Sequence, residues 1–226
     1  MASFRTHISW GIACGVLGVF LLVISMLVPQ SWSLFVLLWL MVTIGAILPD
    51  MDSDSGIPFH VTFGALSIIA GGLAFLVAYK YVPQNPLRIA EWTIGSAIFM
   101  WGIVGTLFRR FTKHRGMAHS IPSAVLVGLC VFSLASYWRF DEWQSFLLGV
   151  AMTFGYIVHL VLDEVYAAVN FHGVPFVPNK ALGSALKFYS KSWRINMLVY
   201  GSITLLIVRS NGEIFRLGKH LVNALH

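Results

Sequence analysis

The sequence predicts an all-α fold, a polytopic integral membrane bundle with about 6–7 hydrophobic segments. Composition is the first observation behind this prediction, because 58% of the 226 residues are hydrophobic and only 11% are charged. The mean hydropathy of +0.79 is also higher than a soluble globular domain usually shows. Finally, the apolar residues form seven separate segments, with prolines between them where helices end.

The seven segments cover residues 8–28, 33–48, 59–79, 92–108, 120–137, 144–162 and 195–208. A helix needs about 20 residues to cross the hydrocarbon core of a bilayer. The first segment has that length, so it is interpreted as a retained spanning helix rather than a signal peptide. The second, fourth and seventh are short, and one of them is expected to be tilted, re-entrant or interfacial. Gly11 with Gly15, and Gly102 with Gly105, are expected to let helices approach closely.

Length, charge and cysteine usage narrow the class of protein. The chain is long enough for one domain, so we predict a single membrane domain over residues 1–226. The net charge of +6 could indicate nucleic-acid binding, but no basic run alternates with aromatic residues, so no nucleic-acid partner is expected. Basic residues beside a membrane explain the excess more simply. Cys14 and Cys130 lie in apolar segments without a CxxC partner, so neither a zinc knuckle nor a disulfide framework is implied.

If all seven segments cross the membrane, the connections alternate between two faces. One face receives the N-terminus and residues 49–58, 109–119 and 163–194, with nine of the 15 lysines and arginines. This excess predicts that the face is cytoplasmic. Six of the eight histidines also lie on or beside this face. The predicted topology depends on hydropathy and not on the histidines, so their location on one face is a partly independent indication. The sequence therefore predicts a functional site on the cytoplasmic side.

His159 and Asp163 lie four residues apart at the end of the sixth segment. On a helix this spacing places both side chains on one face, about 5–6 Å apart between Cβ atoms, where they can share a metal ion. Ionisable residues at membrane depth are costly and usually functional, which favours a metal-binding or catalytic role. The alternative is a histidine–aspartate pair that only satisfies itself inside the bundle.

The polar loop before the fifth segment contains two histidines. His114 and His119 are separated by Gly116, which lets the backbone turn so that both imidazoles can converge on one point. Ser120 and Pro122 predict the N-cap and first turn of the next helix. Taken alone, the loop could equally be a basic anchor at the membrane edge.

Asp50 and Asp52 follow the second segment, and His7 opens the first. In an extended chain residues i and i+2 point to the same side, so the two aspartates can present their carboxylates together to a hard or borderline divalent cation. Taken alone, these would be an ordinary acidic turn and an interfacial histidine. With the loop and the helix they complete a set of seven predicted metal ligands: His7, Asp50, Asp52, His114, His119, His159 and Asp163. Seven ligands are too many for one tetrahedral zinc and suit two divalent ions, Zn or Mn, with room for water or substrate.

Arg115 lies between the two histidines of the loop. A guanidinium beside a metal pair suits a phosphate or another oxyanion, so Arg115 is predicted to be a catalytic residue. Its alternative role is to add to the positive charge of the cytoplasmic face. The sequence has no G-x-S-x-G and no H-E-x-x-H motif, so a serine hydrolase and a standard zincin protease are not supported.

Four pieces of the chain together resemble a known family. They are Thr6 with His7, residues 48–52, residues 114–120 and residues 155–163. In this order they are similar to the YdjM-like family of bacterial inner-membrane proteins, described as membrane-bound metal-dependent hydrolases. The resemblance covers residues 6–163, whereas residues 164–226 carry no family signal that we recognise. It implies a helical membrane fold with a metal site made from these histidines and aspartates. A fainter similarity to zinc-dependent phospholipase C and P1-type nucleases points to phosphoester substrates.

The sequence leaves three functional hypotheses. The first is a hydrolase with a dinuclear metal site at the cytoplasmic face of the bacterial inner membrane, where a phospholipid or lipid-linked phosphoester is the expected substrate. The second is a metal- or proton-coupled transporter, which predicts ligands near the bilayer midplane. The third is a membrane scaffold with a structural metal, which predicts a closed site without an open coordination position.

Overall fold

A computed structural model describes residues 2–26, 30–52, 57–106, 117, 119–168 and 186–224 of the chain. The helices are α1 (Phe4–Ser25), α2 (Trp32–Gly45), a 3-10 turn (Leu48–Asp52), α3 (Ile57–Tyr81), α4 (Pro86–Ile98) with a π-helical continuation (Phe99–Val104), α5 (Ile121–Tyr137), α6 (Glu142–Ala168), α7 (Trp193–Arg209) and α8 (Asn211–Ala224). Within these described ranges the only extended pairing is an isolated parallel bridge between Ser120 and Lys187. The predicted all-α fold is confirmed.

Four helical stretches are long and apolar enough to cross a membrane, namely α1, residues 59–81 of α3, α4 with its π-helical continuation, and α6. Helices α2 and α5 are apolar but shorter. Large side chains such as Phe20 and Leu73 are exposed on these helices, which is stable where the surrounding solvent is hydrocarbon. The observed architecture is therefore that of an all-α membrane bundle, as predicted. Helix α7, which carries the seventh predicted segment, has 17 residues and is not among these candidate spans.

The chain divides into two compact units. The first comprises Met1–Pro49 and Met117–His226, and it contains α1, α2 and α5 to α8. The second comprises Asp50–Gly116 and contains the hairpin of α3 and α4. The single membrane domain expected from sequence stays a prediction, because this division does not test it.

Helix α6 is the centre of the first unit, where it packs against α1, α2 and α5. Its contact with α2 is backbone against backbone, since a Cβ added at Gly155 would overlap the carbonyl of Val42. Its contact with α5 is similar, since a Cβ at Gly149 would lie 2.8 Å from the Gly128 carbonyl oxygen. Small residues at these crossings let the helices approach without lost packing. The close approach holds the functional end of α6 firmly between its neighbours.

The glycines expected to support close packing do so in part. A Cβ at Gly11 would lie 2.7 Å from Ala46, and one at Gly15 would lie 2.8 Å from the Trp39 side chain. In the second unit Gly105 packs against Phe59, but Gly102 has no atom within 4 Å of an added Cβ. The expectation for Gly102 is therefore wrong, because this residue lies on a side of the helix that no described neighbour covers.

Candidate metal centre

Three imidazoles and one carboxylate meet inside the first unit. His7 comes from the first turns of α1, His119 from the residue before the N-cap of α5, and His159 and Asp163 from α6. The three histidines are at most 1% exposed and Asp163 is 3% exposed. We call these four residues the histidine–aspartate cluster. The structure thus brings together side chains that lie more than 150 residues apart in sequence.

The carboxylate of Asp163 lies close to all three histidines of the histidine–aspartate cluster. Its Oδ1 lies 3.4 Å from Nε2 of His7, and its Oδ2 lies 3.9 Å from Nε2 of both His119 and His159. The backbone N–H of Ala2 donates a hydrogen bond of 3.2 Å to Oδ1. The rings of His7 and His159 are stacked, with centroids 3.8 Å apart and planes 14° from parallel. Both rings therefore present Nε2 to the same carboxylate, each to a different oxygen.

The main chain of α2 fixes the tautomer of His159. Nδ1 of His159 lies 2.8 Å from the carbonyl oxygen of Ala46. A carbonyl can only accept, so Nδ1 carries the proton and donates, and the lone pair of the ring is on Nε2. This is the arrangement by which metal-binding histidines are usually oriented. It depends on the close crossing at Gly155, one helical turn before His159, which brings α2 within reach of the imidazole.

Two serine hydroxyls stabilise the turn that carries His119. Oγ of Ser120 and Oγ of Ser123 both donate to the carbonyl of Met117, at 2.5 and 2.7 Å. Ser120 is also the N-cap of α5, since its side chain accepts from the N–H of Ser123, and Pro122 lies in the first turn. The predicted cap is confirmed. Met117, His119 and Ser120 are all buried, so the imidazole of His119 lies inside the protein.

Ser120→Ala is expected to lower the free energy of unfolding by about 1–2 kcal/mol, because it removes the cap and leaves the Met117 carbonyl with one hydroxyl donor fewer. Chemical unfolding in detergent micelles would measure this change. Ser9→Ala is the matched control, because Ser9 is exposed on α1. Equal stability of the two variants would show that the turn does not depend on the Ser120 hydroxyl.

Asp50 is a buried acidic residue and the first residue of the second unit. Its side chain is 8% exposed. The turn that carries it, Leu48–Asp52, is a 3-10 helix rather than the extended chain assumed from sequence. Alternation at i and i+2 therefore does not apply, and the expected reason for pairing Asp50 with Asp52 is wrong.

The geometry fits a divalent cation. Zinc ligands lie about 2.1 Å from the ion, so two ligands of one ion are roughly 3–4 Å apart. The nitrogen–oxygen separations of 3.4–3.9 Å around Asp163 fall in this range and are longer than typical hydrogen bonds. Imidazole and carboxylate are also the donors that zinc and manganese accept. One ligand atom each of His119, His159 and Asp163 lie within 4.8 Å of one another, so these three residues can hold a metal ion.

Other predicted residues lie outside the part of the chain that the structure describes. These are His114, Arg115 and the side chain of Asp52, and their roles stay predictions. The ligand roles of His7, Asp50, His119, His159 and Asp163 also stay predictions, although the side chains of the four cluster residues are close together in the first unit. Sequence reasoning missed the supporting groups, because the Ala46 carbonyl, the Met117 carbonyl and the Ala2 N–H belong to the main chain and leave no residue-specific signal.

Comparison with known proteins identifies a family. A family model described as YdjM inner membrane protein matches residues 1–222. The match extends well beyond residues 6–163, so most of the C-terminal part for which sequence motifs gave no signal is included. No curated protein and no solved structure matches the chain.

Proposed function

Because this chain belongs to the YdjM inner membrane protein family, we propose that it is a membrane-bound, metal-dependent hydrolase whose ions are held by the histidine–aspartate cluster. The observation that carries the proposal is the convergence of three buried imidazoles on the two oxygens of Asp163. Burying four ionisable groups together inside a membrane bundle costs free energy that pairing, hydrogen bonding or metal coordination must offset, and ionisable residues at membrane depth usually have a function. A shared divalent cation would offset that cost.

The two oxygens of Asp163 support a site for two ions. Oδ1 is turned to His7, whereas Oδ2 is turned to His119 and His159. Each oxygen of Asp163 would therefore be available to hold an ion together with its neighbouring histidines, which would give a site for two ions. We further propose that Asp50 is a metal ligand, as its position in the sequence directly after an apolar segment suggests. We propose Zn or Mn, because both accept mixed nitrogen and oxygen ligands.

The proposed reaction is hydrolysis of a phosphoester, in which water adds to phosphorus, the phosphorus–oxygen bond breaks and the departing alcohol takes a proton. Bound divalent ions would supply a more acidic water molecule and a polarised ester. The cluster residues would hold the ions, and the hydrogen bond from Nδ1 of His159 to the Ala46 carbonyl leaves Nε2 turned to Asp163 and available as a ligand. We further propose that Arg115 binds the anionic phosphate, as its position between His114 and His119 in the sequence suggests.

The position of the cluster along α1 favours a substrate at the membrane surface. His7 lies in the first turns of a 22-residue helix, so the cluster is near one end of the span rather than at its middle. This favours a lipid or lipid-linked phosphoester over the transporter alternative, which needs ligands near the midplane. The excess of basic residues on the same predicted face supports a cytoplasmic location.

The depth of burial supports a second candidate function. The cluster residues are at most 3% exposed, and a closed site is typical of a structural metal. In that case the protein would be a membrane scaffold whose ion ties α1 to α6. A structural ion would resist exchange and the purified protein would hydrolyse nothing, which separates the two candidates.

The proposed function predicts that the purified protein contains divalent metal and releases phosphate from vesicles that contain phosphatidic acid. His159→Ala should lose most of the metal and lower the rate by at least about a hundred-fold, because it removes one ligand and leaves the Ala46 carbonyl without its donor. Metal analysis and a phosphate-release assay would measure both. His60→Ala is the control, since exposed His60 contacts Phe59 and Trp101 in the second unit. A protein that binds no metal, or an activity unchanged in His159→Ala, would refute the proposal.

A further inference from the structure

An apolar groove of about 410 Å³ runs between α1, α2 and α6 of the first unit. Its walls contain no charged residue. The residues that matter here are Gly18, Leu22, Leu38, Val42, Ala151 and Phe154. The groove lies along candidate spanning helices, so its surroundings are the hydrocarbon of the bilayer, where the abundant molecules of matching shape are lipid chains.

The groove and the histidine–aspartate cluster are built on the same helix faces. Gly18 and Leu22 follow His7 by 11 and 15 residues, about three and four helical turns, which places them on one face of α1. On α2, Val42 precedes Ala46, whose carbonyl orients His159, by one turn or about 6 Å. The nearest groove residues are Phe154, five residues before His159, and Gly15, eight residues after His7, so the groove begins between one and about two helical turns from the cluster and continues away from it along the span.

We propose that this groove binds one hydrocarbon chain of the lipid whose phosphoester is hydrolysed at the cluster, an inference that rests on the proposed function. A methylene occupies roughly the volume of a water molecule, about 30 Å³, so the groove has room for roughly a dozen methylenes. A chain in the groove would direct its headgroup back along α1 and α2 to His7 and His159. The groove thereby selects a lipid substrate with at least one long chain over a soluble phosphoester.

Gly18 offers a way to fill the groove without moving the helices. A Cβ added there meets no atom within 4 Å, so Gly18→Leu would occupy space that the proposed chain needs. Gly15 is unsuitable, because its added Cβ would collide with Trp39. Gly201→Leu is the matched control, since Gly201 is an exposed glycine of α7 with the same open surroundings and does not line the groove.

The test uses two photoreactive lipids in detergent micelles, phosphatidic acid and diacylglycerol, each with the same diazirine near the end of one acyl chain. Phosphatidic acid should label groove residues such as Leu22 and Phe154 about ten-fold more strongly, because only it has a phosphate for the cluster. Gly18→Leu should reduce this labelling roughly ten-fold or more, whereas Gly201→Leu should not. Metal analysis of each variant confirms that the cluster is intact.

Two results would overturn the groove assignment. Equal labelling by the two lipids would mean that the groove holds ordinary bilayer lipid, and labelling that survives Gly18→Leu would place the chain elsewhere. Both results leave the hydrolase proposal standing, because that proposal is judged by metal content and phosphate release in the wild-type protein. Loss of the hydrolase proposal by those measurements would instead remove the premise that the bound chain belongs to a substrate.

Discussion

Asp163→Asn is expected to abolish metal binding and to lower any hydrolytic rate by about a thousand-fold. The amide keeps the shape of the carboxylate but removes its charge and one of the two acceptor oxygens that face the three histidines. Loss of a shared ligand removes several kcal/mol of metal-dependent stabilisation, and about 4 kcal/mol corresponds to the stated change in rate. Metal analysis and vesicle hydrolysis would measure the two effects.

Thermal unfolding distinguishes this loss from a general loss of stability. Metal at about a hundred times its dissociation constant should stabilise the wild-type protein by about 2.7 kcal/mol. The same metal concentration should leave the stability of the Asp163→Asn variant unchanged. Asp141→Asn is the control, because Asp141 accepts a hydrogen bond from the N–H of Gln144 at the other end of α6, and asparagine caps a helix equally well. If metal still stabilises Asp163→Asn, Asp163 is not a ligand.

Gly155→Ala is expected to destabilise the protein by about 1–3 kcal/mol or more, the usual cost of overpacking a core. The added methyl would overlap the Val42 carbonyl, and a main-chain carbonyl cannot rotate away as a side chain can. Helices α2 and α6 must therefore separate, and this lengthens the hydrogen bond from Nδ1 of His159 to the carbonyl oxygen of Ala46. The free energy of unfolding, measured in detergent, and the metal content of the protein should both decrease in this variant.

Gly201→Ala is the matched control for this prediction. Gly201 is exposed and has open space around it, so alanine there should stabilise its helix by about 0.5–1 kcal/mol. A glycine-to-alanine substitution is thus expected to lower the stability of the protein at position 155 and to raise it at position 201. Two variants of equal stability would contradict the close crossing of α2 and α6.

The helices were largely predictable from hydropathy, but some of their ends were not. Helix α6 continues to Ala168, six residues beyond the predicted end. The apolar run stops at Asp163 and Glu164, but the helical backbone continues through these two residues. Helix α4 begins at Pro86 instead of 92, since Asn85 caps it and its first turns carry Arg88 and Glu91. Polar residues at these ends obscure a helix whose hydrogen bonding is intact.

The candidate site was predictable where it depends on local spacing. His159 and Asp163 face one another because four residues make about one helical turn, and Ser120 caps α5 as its sequence indicates. The turn at Asp50 was not predictable, because an Asp-x-Asp sequence is compatible with both extended and 3-10 backbone. The partner of His159 was also unpredictable, since any residue at position 46 has the same carbonyl.

The hydrogen bond from Ala2 to Asp163 joins residues 161 positions apart, and this separation has a consequence for biogenesis. During synthesis α1 is made and enters the membrane before the ribosome has made α6. His7 therefore cannot contact His159 and Asp163 until most of the chain has been translated. If the cluster holds an ion as proposed, the full ligand set is available only after α6 docks beside α1. Metal loading would then mark completed assembly, and a truncated nascent chain ending before residue 159 should remain unloaded and exposed to quality-control proteolysis.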